Sequence, residues 1–327
     1  PSNALVVADG GRGILEVEAG AVITNRLLVG AHGCGAVWDN TSYGGVRQRG
    51  GKFVAADPNC TISKGNSLGV GQGAGGYYEL LGGELESHGT FSIGCWGVGA
   101  MLIDGGTFTI TNKLGAATKG ALELGGANGG RGALRVTSGR VAYCGTDDIF
   151  VGRGNTADCF SSLTVDGAGA ACDFGATRVN FGWGNPSGTF FVNFNAGVLT
   201  AGKLYKHRRD DTSLYCLRNK LYLNFNGGTF RAGAAGEIFG AVSDQTLANA
   251  VFVYEGGATV DTQGNECTIR IPIAAPTGNG IKSIALAKPI THVMSPVVEI
   301  KSETGVGASA FAHYVWESHA IDRIDVT

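Results

Sequence analysis

Large apolar residues in this chain alternate with polar ones in short bursts, and each burst stops at glycine. GILEVEAGAV (13–22), GYYELLGGEL (76–85), GAMLIDGGTF (99–108) and GALRVTSGRV (132–141) share one arrangement: a small residue, an alternating pair of large apolars, then glycine and another apolar. In all four the second apolar is followed three residues later by Gly20, Gly83, Gly106 or Gly139. Leu15/Val17, Leu134/Val136 and Leu223/Phe225 enclose Glu16, Arg135 and Asn224, a period of two that predicts strands rather than helices. No segment sustains a 3.6-residue apolar stripe over three turns, which excludes ankyrin, TPR and HEAT arrays. The leucine-rich pattern with its fixed Asn or Cys is absent as well.

Looser copies follow at 161–170, 188–199, 220–230 and 250–260. The first inward apolar of each copy gives the series Leu15, Tyr78, Met101, Leu134, Leu163, Val192, Leu223 and Phe252, with steps of 63, 23, 33, 29, 29, 31 and 29. The first step spans about two repeats, and a degraded copy near GAVWDN (35–40) is the expected filler. A second pattern, apolar–glycine–x–(x)–glycine, trails the first in LVGAHG (28–33), GVGQG (69–73), SIGCWG (92–97), FVGRGN (150–155) and NFGWG (180–184). Each repeat therefore carries at least two short strands with glycine turns between them. A drifting period near 29 built of strands predicts a parallel β-helix, or β-solenoid, in which each repeat is one coil. About nine coils stacked at ~4.8 Å make a rod on the order of 45 Å long.

Composition narrows the class further. Glycine supplies 56 of 327 residues, without the strict third-residue period or the proline content of collagen, since Pro is only 7. Hydrophobic residues at 43% argue against disorder, and no apolar run is long enough for a membrane helix. A net charge of −2 leaves no electrostatic footprint for nucleic acid or an anionic membrane.

GILEVEAGAV…LLVGAHGCGAV and GALRVTSGRV…IFVGRGN resemble the glycine-rich β-strand repeats of bacterial autotransporter passengers and related secreted surface proteins, over roughly residues 5–265. The resemblance implies export to the cell surface or beyond, a right-handed β-helix, and adhesion, matrix or fibre roles. It carries no catalytic residues to transfer. Residues 1–268 read as the solenoid and 269–327 as a small β module or cap, where four of the seven prolines gather (Pro272, Pro276, Pro289, Pro296). The segment Pro296–Ile300 followed by Gly305–Ala310 resembles a Pro-led, Gly-x-Gly-Ala repeat of surface proteins and phage tail fibres. VVEIKS, ASAFAHYVW and AIDRIDV read there as antiparallel strands. The chain is expected to be a processed or ordered segment of a longer exported precursor.

Candidate chemistry is sparse. Pectin-type lyases and glycosidases use this fold with clustered carboxylates, but Asp147–Asp148 and Asp210–Asp211 have no carboxylate in register above or below them and read as solvated loops. KLYKHRRDDTS (203–213) is the one dense charge cluster; Lys206, His207, Arg208 and Arg209 are candidates for a partner chain or an acidic glycan, against a plain surface loop. Trp96 and Trp183, in the glycine turns, either stack on sugars or pack under neighbouring loops. The six histidines fall at unrelated repeat phases, so no metal set emerges, and the glycine-rich stretches lack the GK[ST] ending of a phosphate loop. No cofactor is expected. Of eight cysteines none forms a CxxC pair; Cys144 and Cys172, one coil apart, could bridge only if a bulge corrects a one-residue slip. The expectation is a non-enzymatic, extracellular structural or adhesive solenoid that self-associates end to end or by strand exchange. A glycan-binding surface module is the alternative, and a polysaccharide lyase or hydrolase the outsider.

Overall fold

The structure, a computed structural model, describes residues 4–31, 43–56, 66–69, 74–111, 121–126, 130–153, 159–183, 188–206, 219–239, 250–269, 271, 273–275, 282–290, 310–311 and 321–326. Among them there is no helix: the chain is all-β, a β-solenoid of stacked parallel coils. Each coil contributes one strand to each of three sheets. In the first coil these are Arg12–Val17 (sheet I), Ala21–Thr24 (sheet II) and Arg26–Ala31 (sheet III). The strand Ala4–Asp9 precedes them on sheet III, which runs to ten parallel strands. Val98–Thr111 and Arg131–Cys144 run unbroken round the corner from sheet I into sheet II.

Stacking turns the sequence periodicity into ladders. On sheet I the inward row reads Leu15, Val46, Tyr78, Met101, Leu134, Leu163, Val192, Leu223, Val251 and Ile273. Seven of these are the residues expected from the repeats. The last expected member is one residue off: Val251 faces in, while Phe252 pairs with Asn224 on the outward side. The missing copy is Tyr43–Gln48, downstream of GAVWDN, which lies outside the described residues. YGGVRQ hides its role because glycines and an inward glutamine replace the large apolars. Buried Gln48 is satisfied instead: its amide donates to Glu84 O at 3.0 Å, and Tyr78 Oη donates to its Oε1 at 2.6 Å.

The two glycine patterns are two corners. Gly20, Gly51, Gly83, Gly106 and Gly139 stack between sheets I and II, all at φ between 69° and 81°. A Cβ on Gly83 would lie 2.2 Å from the carbonyl oxygen of Gly51, and that oxygen already accepts the amide of Glu84. The second pattern lies at the end of the sheet III strands that carry it, as at Phe91–Ile93, Ile149–Val151 and Arg178–Phe181. A Cβ on Gly94, at φ 79°, would lie 1.9 Å from Arg131 O, at the start of the Arg131–Cys144 strand. Only glycine satisfies both the left-handed φ and the close backbone approach at these points.

Parallel pairing continues to Ile273–Ala274. Lys282–Ile290, Ala310–Phe311 and Ile321–Val326 form a separate antiparallel sheet. The expected strand at VVEIKS lies outside the described residues, as do Pro296–Ile300 and most of the Gly-x-Gly-Ala stretch. Among the described residues, no helix is long and apolar enough to cross a membrane.

Candidate functional site

Outward side chains of neighbouring coils sit directly above one another, so charge on one coil meets charge on the next. On sheet I, Arg47 lies between Glu16 and Glu79; its Nε is 2.8 Å from Glu79, and both side chains of that pair are about 95% buried. Burial raises the Glu79 carboxyl above its ordinary range, against the pull of Arg47. Arg49–Glu18, Lys52–Glu84, Arg135–Asp166, Arg140–Asp173, Arg178–Asp148, Lys203–Glu237 and Arg231–Asp261 also each join neighbouring coils. Neutral groups do the same: Asn224 donates to Asn193 at 2.9 Å, and Asn193 donates to Thr164 at 3.0 Å.

The aromatic candidates are separate from one another. Trp96 is 45% exposed, at φ 59°, after Gly94 and Cys95. Trp183 is 39% exposed and belongs to a built cluster on the outward side of sheet III. Its ring lies 6.2 Å from that of Phe150, and the Arg153 guanidinium sits over both, 4.7 Å from Phe150 and 4.9 Å from Trp183. Arg153 is anchored by an ion pair to buried Glu123, whose other oxygen accepts Ser92 Oγ at 2.8 Å. The arrangement is an aromatic shelf with a fixed cation, the chemistry of a sugar- or anion-stacking surface.

The basic cluster divides. Lys206 occupies the inward row of Leu68, Ile93, Leu124, Val151 and Phe181. It is buried and donates to the Asn219 carbonyl at 3.0 Å, so its charge is spent inside the coil rather than offered to a partner. His207, Arg208 and Arg209 lie outside the described residues, as do Asp210 and Asp211. Asp148 is held by Arg178 at 3.0 Å and by the Tyr205 hydroxyl at 2.9 Å.

The conditional Cys144–Cys172 bond does not form, and both thiols are free. No bulge corrects the slip: Cys172 pairs with Val141 and points into the core, where burial raises its thiol pKa, whereas Cys144 pairs with Thr111 and is exposed.

One constellation escaped the sequence reading. On the outward side of sheet II, Thr111 Oγ1 is 3.0 Å from His88 Nδ1, and His88 Nε2 is 2.5 Å from Glu86 Oε1. Lys52 Nζ, 2.9 Å from Glu86 Oε2, closes the chain across three coils. Lys52 lowers the Glu86 carboxyl pKa, with help from His88. Among the described residues there is no group of three or more side chains suited to a metal ion. No family model, curated protein or solved structure matches this chain.

Proposed function

We propose that the chain is an extracellular structural or adhesive β-solenoid, a rod whose shape and stacking are its product. The observation that carries this reading is the matching of outward charge from coil to coil, since Arg47–Glu79, Arg140–Asp173, Arg178–Asp148 and Arg231–Asp261 are spent on holding the stack. Export rests on the resemblance of the glycine-rich repeats to autotransporter passengers. Immunogold electron microscopy of the producing cells tests it: label on the surface or in extracellular matrix is expected, and label confined to the cell interior overturns it.

A glycan-binding surface is the second reading, and it rests on the Phe150–Arg153–Trp183 shelf. Stacking one sugar ring on an exposed aromatic contributes on the order of 1 kcal/mol. A glycan array with wild type and Trp183→Ala decides it. Binding that disappears in the variant supports the shelf, and an empty array with the wild type removes it.

A further inference from the structure

Two exposed indoles stand on one corner of the rod, where sheet III gives way to sheet I. Ile93, Leu124, Val151 and Phe181 are successive members of one row of sheet III. Trp96 follows Ile93 by three residues and Trp183 follows Phe181 by two, so three coils separate them. At ~4.8 Å per coil that is about 14 Å along the axis. On the two coils between, the residues that directly follow the row are Gly125 and Gly126, then Gly152 and Arg153. Arg153 is the cation of the Phe150–Trp183 shelf, so glycines and that shelf fill the interval.

Trp96 is held there in a strained backbone. Its φ of 59° is left-handed, which bulky side chains rarely adopt, and Gly94 two residues earlier already supplies the positive φ that Gly125, Gly152 and Gly182 supply at the same corner. Full burial of the indole would offset the strain, yet Trp96 is 45% exposed. Strain at an exposed aromatic points to a ligand rather than to the core. Charge narrows the ligand. Arg153, Arg178 and Lys203, on this side of the fifth, sixth and seventh coils, face Glu123, Asp148 and Glu237. The Arg153 guanidinium is thus neutralised by a buried carboxylate, and the shelf favours an uncharged ring over an anion.

We infer that this corner binds a neutral, linear, β-1,4-linked gluco-configured polysaccharide laid along the solenoid axis, with Trp96 and Trp183 stacking on separate sugars of one chain. The inference rests on the glycan-binding reading and deepens it: the ligand is the interior of a chain rather than a terminal sugar. A single ring covers one indole only. A chain that spans ~14 Å engages both, and the second contact is intramolecular once the first is made. All-equatorial linkages keep such a chain straight enough to follow a straight corner. Its rings carry no charge and present flat C–H faces to the indoles, whose own faces are apolar.

Isothermal titration calorimetry of the 327-residue chain tests this with β-1,4-linked glucose and N-acetylglucosamine oligomers, dimer to hexamer, and with hexagalacturonate as the acidic probe. In at least one neutral series, affinity is expected to climb ~10-fold or more from dimer to hexamer, with hexagalacturonate weaker than that hexamer. Trp183→Ala and Trp96→Gly should each bring the hexamer down to the affinity of the dimer. Trp96→Gly also relieves the left-handed backbone, so its urea midpoint is expected at or above that of the wild type. A lowered midpoint would assign Trp96 to packing and overturn its role as a contact. Binding without length dependence that is lost in Trp183→Ala makes the shelf a single-sugar site: the glycan-binding reading stands and the axial chain is overturned. A length dependence that survives Trp96→Gly, or tighter binding of hexagalacturonate, overturns it too. No binding of either neutral series also overturns the inference, whereas only an empty glycan array removes the reading beneath it.

Discussion

Gly20 and Gly83 have nearly the same backbone, φ 81° and 78°, at the same corner of the solenoid, yet opposite surroundings. A Cβ on Gly83 would strike Gly51 O at 2.2 Å, whereas a Cβ on Gly20 would meet nothing within 4 Å. The difference is the preceding coil: among the described residues Gly83 has one stacked against it and Gly20 does not. The whole first coil differs from the interior in this way. Leu15 and Val22 are only partly buried, while Met101 and Phe108, in the same rows three coils later, are fully buried. One local pattern gives two physical outcomes, depending on whether a neighbour lies on both sides. The interior coils are therefore where substitutions cost most.

The two glycines separate conformation from stacking. Gly20→Ala imposes only the left-handed backbone on a residue with a side chain, about 1–2 kcal/mol. Gly83→Ala adds a collision with a carbonyl that is already hydrogen-bonded, and the total is expected at about 4 kcal/mol or more. Urea unfolding of both variants, followed by hydrogen exchange at Glu84 and Thr107, measures the gap. Equal costs would mean that stacking contributes nothing to the glycine requirement.

Next in size is the outward row Glu16–Arg47–Glu79. Arg47→Met leaves Glu79 buried without its counter-charge, a loss of roughly 3–5 kcal/mol at neutral pH. The carboxyl pKa of Glu79 is already raised by burial, and losing Arg47 raises it further. A folded pKa above the unfolded one means that the folded state holds the extra proton. Stability is then greatest below the unfolded carboxylate value of about 4.3 and falls as pH rises through the higher folded value. Urea midpoints of Arg47→Met should therefore fall from pH 4 to pH 7 more steeply than those of the wild type. At the first coil, Glu16 is exposed beyond half and only 3.9 Å from Arg47, so Glu16→Gln costs under about 1 kcal/mol.

Core truncation makes the same contrast in apolar terms. Met101→Ala empties a fully buried position between Tyr78 and Leu134, about 3 kcal/mol. Leu15→Ala, partly exposed and with one stacking neighbour, should cost about half as much or less.

How much of this was legible follows from the range of each signal. The period of two placed seven residues of the inward row, because alternation and its glycine stop lie within one repeat. Tyr43–Gln48 was not legible, since the shortest hydrogen bonds that make its glutamine acceptable inside come from Tyr78 and Glu84, a coil away. Thr111, His88 and Glu86 were missed for the same reason: Thr111 and His88 are 23 residues apart, and only stacking brings them to 3.0 Å. Lys206 lies in a basic run, and nothing local says that its phase is inward. Sequence alternation gives the side a residue faces; it does not give what covers that side. Glu79 and Arg47 face outward and are buried all the same.

The smallest expected effect lies on sheet II, where the first coil offers Ala21 and Ile23 and the paired charges begin at Lys52. Lys52→Met removes the main cause of the lowered Glu86 pKa, leaving His88 as the remaining partner. The Glu86 carboxyl should therefore titrate closer to its ordinary range, as read by carbon-detected NMR of the side chain. Because its folded pKa is depressed, its contribution is present above the unfolded value of about 4.3 and lost as pH falls through the lower folded value. The wild type accordingly loses slightly more stability on acidification than the variant. The difference is small, since Lys52 is nearly half exposed and solvent screens the pair. An unchanged Glu86 titration would assign the depression to His88. The imidazole and Thr111 would then hold only the rung between the third and fourth coils, and Lys52 would belong with the exposed charges of the second coil.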